Sequence, residues 1–163
     1  MQFKDFTIRT ITPDDNAALA RIIRSTLEEF KANHPGTVYY DEETDQLSRV
    51  FEATGSWYFV AEAQGEIVGG AGIFPTNGLP EGTCELVKMY LLPSARGTGL
   101  GKCLLHSCFD KARELGYTQM YLETMPELII AVPMYEKNGF KYLEGPLGNS
   151  GHFGCAIQML KKL

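Results

Sequence analysis

The chain has 163 residues, 44% of them apolar and 21% charged, with a formal net charge of -5. That size and balance suit one folded domain, residues 1–163, with a sizeable core, and the negative charge argues against a broad nucleic-acid surface. No apolar run approaches the ~18 residues of a membrane span, and the opening "MQFKDFTIRTITPDD" lacks the basic-then-apolar form of a leader.

In chain order, "FTIRTIT" alternates as a strand does. Thr12 then reads as an N-cap, with Pro13 at the first helical position and Asp14 and Asp15 in the first turn. Ala18, Leu19, Ile22, Ile23, Leu27 and Phe30 follow at helical spacing. "KANHPGTVYYDEET" reads as a loop, and "DQLSRVFEAT" as a short helix. "WYFVAEA" and "EIVGGAGIF" flank "QG" and predict a hairpin. "TCELVKMYLL" is a strand that stops at Pro93. Leu100, Leu104, Leu105, Cys108, Ala112 and Leu115 make the apolar stripe of a second long helix, closed by Gly116. "TQMYLET" is the next strand. "PELIIAVPMYEKN" is helical in composition, but Pro133 predicts that it breaks or starts near that proline. "GFKYLEG" and "HFGCAIQML" read as two final strands. The order β-α-α-β-β-β-α-β-α-β-β predicts a mixed α/β sheet with helices packed on it.

Between the third of these helices and the strand before it lies "RGTGLGK", residues 96–102. Three glycines in five positions are costly in regular structure, and a glycine-rich turn at a helix N-terminus presents free N–H groups to phosphate. Three ligand classes compete. A nucleoside-triphosphate loop needs GxxxxGK[ST], and here Arg96 and Cys103 stand at two of the required places. A dinucleotide GxGxxG fails at Lys102 or at Leu104, depending on the start. The pattern [QR]xxGx[GA] is met by Arg96, Gly99 and Gly101.

With its context, "ELVKMYLLPSARGTGLGKCLL" resembles the coenzyme A-binding core of the GNAT superfamily of acyl-CoA N-acyltransferases, and "LETMPELIIAVPMYEKNGF" resembles the strand and helix that follow it there. The resemblance runs from about Trp57 to Phe140. It implies a mixed, mostly antiparallel sheet flanked by helices, with a splayed central strand pair that binds acyl-CoA. It implies acetyl-CoA as cosubstrate, transfer to a primary amine on a small molecule or peptide by direct attack in a ternary complex, and a homodimer as a common assembly. The N–H groups of Arg96, Gly97, Thr98, Gly99, Leu100, Gly101 and Lys102 would cradle the pyrophosphate, with Arg96 and Lys102 adding positive charge. Met89 and Leu91, with Tyr90 between them, would pair their backbone with the pantetheine amides.

A lysine-like amine is neutral in roughly one molecule in 2,500 at pH 7, so attack on a thioester calls for a general base. Members of the family often carry a glutamate at the place of Glu85. It lies four residues before Met89, and strand parity would put both on one face. Glu123 is a lesser candidate that could pair with Lys88. Tyr135 matches the family's proton donor to the departing thiolate. Two departures stand out: Glu127-Leu128 where many members carry an Asn near the cofactor, and Pro133 two residues before Tyr135. "DEETD" (41 to 45) reads as a solvated loop or as an attraction for a cationic acceptor, with Phe30, Tyr39, Tyr40 and Trp57 as candidate pocket walls. His34, His106 and His152 show no metal-ligand spacing, so no metal is expected. Cys84, Cys103, Cys108 and Cys155 form no CxxC pair, which predicts reduced thiols and a cytoplasmic protein. The competing readings are an acyl-CoA sensor without turnover and a nucleotide-phosphate binder.

Overall fold

The computed structural model describes residues 5–163; residues 1–4, which begin the stretch read for a leader, lie outside the described residues. Strand β1 (Phe6–Thr10) leads into Thr12, whose backbone N–H donates to Asp15 Oδ2 at 2.7 Å, as a cap at a helix start does. Asp15 is buried and holds Arg9, which also binds Glu62, so the carboxylate that caps the helix also anchors the sheet edge. A short 3-10 turn, Pro13–Asp15, passes into α1 (Asn16–Glu29). The short second helix, α2, is only Leu47–Val50, preceded by a 3-10 turn at Glu42–Gln46.

Strands β2 (Trp57–Ala63), β3 (Glu66–Phe74) and β4 (Thr83–Leu91) follow, then α3 (Leu100–Glu114), β5 (Gln119–Thr124), α4 (Ala131–Lys137), β6 (Lys141–Tyr142) and β7 (Ile157–Lys162). The succession is the one the sequence predicts. Helix α4 puts Pro133 in its first turn, where no intrahelical N–H bond is lost. Residues 126–130 are turn rather than helix. The last two strands are shorter than expected. "HFGC" is a turn closed by Cys155 N–H to the His152 carbonyl, and Gly151 before it has a φ of 80°, which ends regular strand geometry.

The sheet order is β1-β2-β3-β4-β5-β7-β6, antiparallel throughout except for the β4–β5 pair. One face packs on α3, whose Leu104, Leu105, Cys108 and Ala112 are fully buried against Cys84, Leu86, Met120 and Leu122. Leu115, expected in that stripe, caps the helix and is 41% exposed. The other face packs on α1 through Leu19, Ile23 and Leu27 against Tyr58 and Val60. Among the described residues, no helix is long and apolar enough to cross a membrane.

Two local features of this sheet set up the site. First, β4 and β5 pair only from Thr83–Gln119 to Glu85–Tyr121 and then part. Second, β4 carries a bulge: Gly72 faces Val87 but Gly70 faces Tyr90, which leaves one extra residue on β4, and Lys88 has a φ of 52°. The Tyr58 ring lies so close over β3 that a Cβ at Gly70 or Gly72 would come within 2.5 Å of it. The Tyr58 hydroxyl donates to the Lys88 carbonyl at 2.8 Å, so the glycines of "GGAG" make room for the residue that pins the bulge.

Candidate active site

Glu85 belongs to the last β4 residue pair before the two strands part, which puts its carboxyl at the fork. It is 4% exposed and accepts a hydrogen bond from the Thr76 hydroxyl. Burial pushes its pKa up to about 7; nearby Glu123 adds to the rise, while the Thr76 bond, His152 and Lys88 oppose it. The strand-parity argument does not hold. The bulge at Lys88 shifts the alternation, so Met89 and Leu91 pack with Leu86 on the α3 side, while Tyr90 packs with Tyr58 on the α1 side. Glu85 reaches the cleft because it sits at the fork, not because it shares a face with Met89.

From the fork, a cavity of about 290 Å³ runs between the separated strands to the glycine loop. Met89, Tyr90, Leu91, Arg96, Gly97, Gly99, Gly101, Lys102 and Tyr135 all line it. Gly97 and Gly99 have φ of 72° and 86°, a region that favours glycine. Among the described residues, the N–H groups of Gly97, Gly99, Gly101 and Lys102 have no backbone acceptor; the first helical bond of α3 runs from Cys103 to Gly99. These free donors sit at the positive end of a 15-residue helix, which suits a phosphate.

Leu100 is a buried core residue, and the Thr98 hydroxyl donates to the Ala95 carbonyl at 2.6 Å, so neither side chain faces the cavity and only their backbone could contribute to the cradle. One predicted contributor differs from expectation. The Arg96 guanidinium does not stand free as a phosphate-screening charge. It binds both Glu29 oxygens at 2.6 and 3.0 Å, lies 5.0 Å from the centroid of the Phe30 ring, and donates twice to the Leu91 carbonyl. Arg96 therefore ties the loop to the end of α1, and the Leu91 carbonyl has both lone pairs committed within the chain.

Tyr135 is buried, and its hydroxyl makes no hydrogen bond with a described residue. Burial pushes its phenol pKa up, which keeps the proton on it at neutral pH. At the position of the missing Asn, Leu128 lines the cavity and Glu127 pairs with His34 at 3.1 Å.

A second cavity, of about 530 Å³, opens on the other side of the fork. It shares Glu85, Val87, Lys88 and His152 with the first. Tyr40 and Asp41–Glu43 line it, as the acidic-loop reading anticipated, but the other suggested walls do not. Phe30 lines the first cavity, Tyr39 bonds Glu28, and Trp57 lies under Lys111. Glu123 does not pair with Lys88; it accepts from Tyr121 and Ser150. Lys88 faces Asp41, which His152 Nε2 contacts at 2.7 Å. That Asp41–His152–Lys88 group escaped the sequence reading, because its members lie 111 residues apart at most and meet only through the fold.

A sheet split beside a glycine loop, with a buried carboxyl at the split, defines an acyltransferase of the GNAT type. The comparisons agree. Residues 19–140 match the acetyltransferase (GNAT) family, and the chain belongs to it. It is 41% identical over 157 residues to YjgM of Escherichia coli, an N-acetyltransferase otherwise uncharacterized, covering 96% of this chain and 94% of that protein. The crystal structure of a GNAT-family acetyltransferase from Staphylococcus aureus superposes with a TM-score of 0.85 at 22% identity, covering 98% of this chain and 99% of that one. A PaiA N-acetyltransferase from Thermoplasma acidophilum, solved in complex with coenzyme A, superposes with a TM-score of 0.71 at 19% identity, covering 98% and 99%.

Proposed function

We propose that the protein transfers the acetyl group of acetyl-CoA to a primary amine by direct attack, with both substrates bound at once. The observation that carries this reading is Glu85: one buried carboxyl, its pKa raised to about 7, lining both cavities where they meet. A base is most effective when its pKa lies near the working pH, and this one does. Acetyl-CoA fits the first cavity: its pyrophosphate would be held by the N–H groups of Gly97, Gly99, Gly101 and Lys102, and its pantetheine by the unpaired stretch of β4 around Met89. It supplies the thioester that the amine attacks.

The amine enters from the second cavity. Glu85 takes its proton, directly or through a water, and so makes its lone pair available. Tyr135, which lines the same cavity, holds a proton and gives it, or a hydrogen bond, to the departing sulfur. Tyr135→Phe keeps the ring and the packing, so folding and CoA affinity stay as they are. The expected loss in kcat is roughly 10- to 100-fold, or about 1.4 to 2.7 kcal/mol of barrier. Single-turnover kinetics, where chemistry limits the rate, check this; an unchanged rate makes water the proton source.

The function as a whole is tested with an amine panel, following free CoA with a thiol reagent and the products by mass spectrometry. Acetylated amine is the expected result. Acetyl-CoA binding with no thiol release against any amine overturns it in favour of an acyl-CoA sensor.

A further inference from the structure

Lys88 stands apart from the other residues of the second cavity. Its side chain is 7% exposed. Its ammonium, with three donors, opens onto the cavities. Yet Lys88 Nζ makes no hydrogen bond with any described residue. The one carboxylate oxygen within 4 Å among the described residues, Asp41 Oδ2, is 3.9 Å away and already shared with His152. The backbone holds the residue in place against its own preference: φ is 52°, in a bulge whose carbonyl is fixed by Tyr58. The result is a cation on a largely buried stem, its ammonium open to the space the two cavities share and free of protein hydrogen bonds, beside the carboxyl that deprotonates the amine.

A second observation concerns the wall behind it. Val50, Phe51, Phe74 and Val87 line the second cavity, an apolar surface next to the charged pair. Two opposite charges and an apolar wall together match one kind of small molecule. We infer that the acceptor carries a carboxylate near its reacting amine and an apolar side chain: the amine goes to Glu85, the carboxylate to the Lys88 ammonium, and the side chain to the Phe51–Phe74 wall. An apolar α-amino acid has all three. This rests on the transfer reading above and narrows its acceptor. The exposed Glu42 and Glu43 at the rim do not oppose it, because a zwitterion has no net charge and rim charges are screened by solvent. An alkylamine or a polyamine leaves Lys88 with only the distant Asp41 carboxylate, and a site built to bond a polar group rejects the analogue that lacks it.

L-Phenylalanine, L-phenylalaninamide and 2-phenylethylamine separate the possibilities, since they share the amine and the ring and differ in the carboxylate. Turnover by thiol release and binding by calorimetry to CoA-saturated enzyme are measured on wild type, Lys88→Met and Lys88→Arg. Wild type is expected to favour phenylalanine over the other two by at least tenfold in kcat/KM. Lys88→Met brings that ratio to about one, and Lys88→Arg restores part of it. Equal use of the three compounds by wild type, or a ratio that survives in Lys88→Met, overturns the inference. Should Lys88→Met fail to fold, the wild-type ratio and Lys88→Arg still decide. Acetylation of 2-phenylethylamine with phenylalanine neither bound nor acetylated removes the carboxylate site and leaves acetyl transfer standing. Binding of phenylalanine that Lys88→Met abolishes, with no transfer to any of the three, leaves the site standing and removes the transfer reading. If phenylalanine is neither bound nor acetylated, the inference falls whatever the other two do.

Discussion

Glu85→Gln lowers turnover by about 10²-fold or more at neutral pH, while CoA affinity barely changes. The amide keeps the size of the side chain and can still accept from the Thr76 hydroxyl, so the fork stays packed. What is lost is the group that takes the proton. The wild-type rate climbs as pH passes through about 7, where the buried carboxyl ionises, and the variant lacks this rise. The deficit narrows at high pH, where more of the amine is already neutral. A pH–rate profile on both proteins reads this directly, and an unchanged profile in the variant removes Glu85 from the mechanism. The same residue leaves a mark on stability, and its sign is opposite to that of a salt-bridged carboxylate. Its pKa in the folded protein lies above the ordinary value of 4.5. The folded state therefore binds the proton more tightly than the unfolded chain does, and stability falls as pH rises from about 4.5 through about 7. Ionising the group in its buried place costs up to roughly 3 kcal/mol by pH 8. Denaturant melts at pH 5 and pH 8 should show Glu85→Gln gaining on wild type at the higher pH.

Gly99→Val loses CoA binding by at least about 10²-fold. Gly99 is the N-cap of α3 with φ 86° and ψ -3°. An L-residue in that region costs about 1–2 kcal/mol, and a β-branched one is the worst placed. The turn would shift away from this geometry, and with it the free N–H groups of Gly101 and Lys102. Calorimetry with CoA on variant protein whose fold is verified by circular dichroism is the check. Wild-type affinity there dismisses the loop as the phosphate site. The core beneath the loop, Leu104 and Leu105, is untouched by this change, so unfolding is not the expected cause of the loss.

The parts of this molecule that were legible in the sequence are those with a local physical signature. The α3 stripe has helical spacing, "QG" has turn chemistry between two strands, and the glycines at 97 and 99 mark a turn whose positive φ disfavours side chains. Pro133 predicts a helix that breaks or starts near it, and the helix starts two residues before it. The rest was invisible for equally physical reasons. A bulge on a lysine has no composition cue, and one extra residue reverses every parity inference beyond it; the Glu85–Met89 argument failed on that point. Arg96 fits a phosphate-loop pattern by type, but its partner Glu29 lies 67 residues away, and only the fold reveals that its charge is already used. Asp41, Lys88 and His152 come from a loop, a bulge and a turn, none of which has a periodicity to read.

The short contact between β4 and β5 has a mechanical side. Three residue pairs, Thr83 to Glu85 against Gln119 to Tyr121, join one half of the sheet to the other. Beyond them β4 runs six more residues to Leu91, a lever arm of about 20 Å at ~3.3 Å per residue. A rotation of about 5° at the joint moves the far end by roughly 1.7 Å, a little more than the radius of a water molecule. A rotation of one half of the sheet against the other at these three pairs would therefore change the width of the cleft at the glycine loop, with α3, packed on both halves, resisting it. Substitutions that repack Thr83 or Met120 would act at that joint, six residues of β4 away from Leu91.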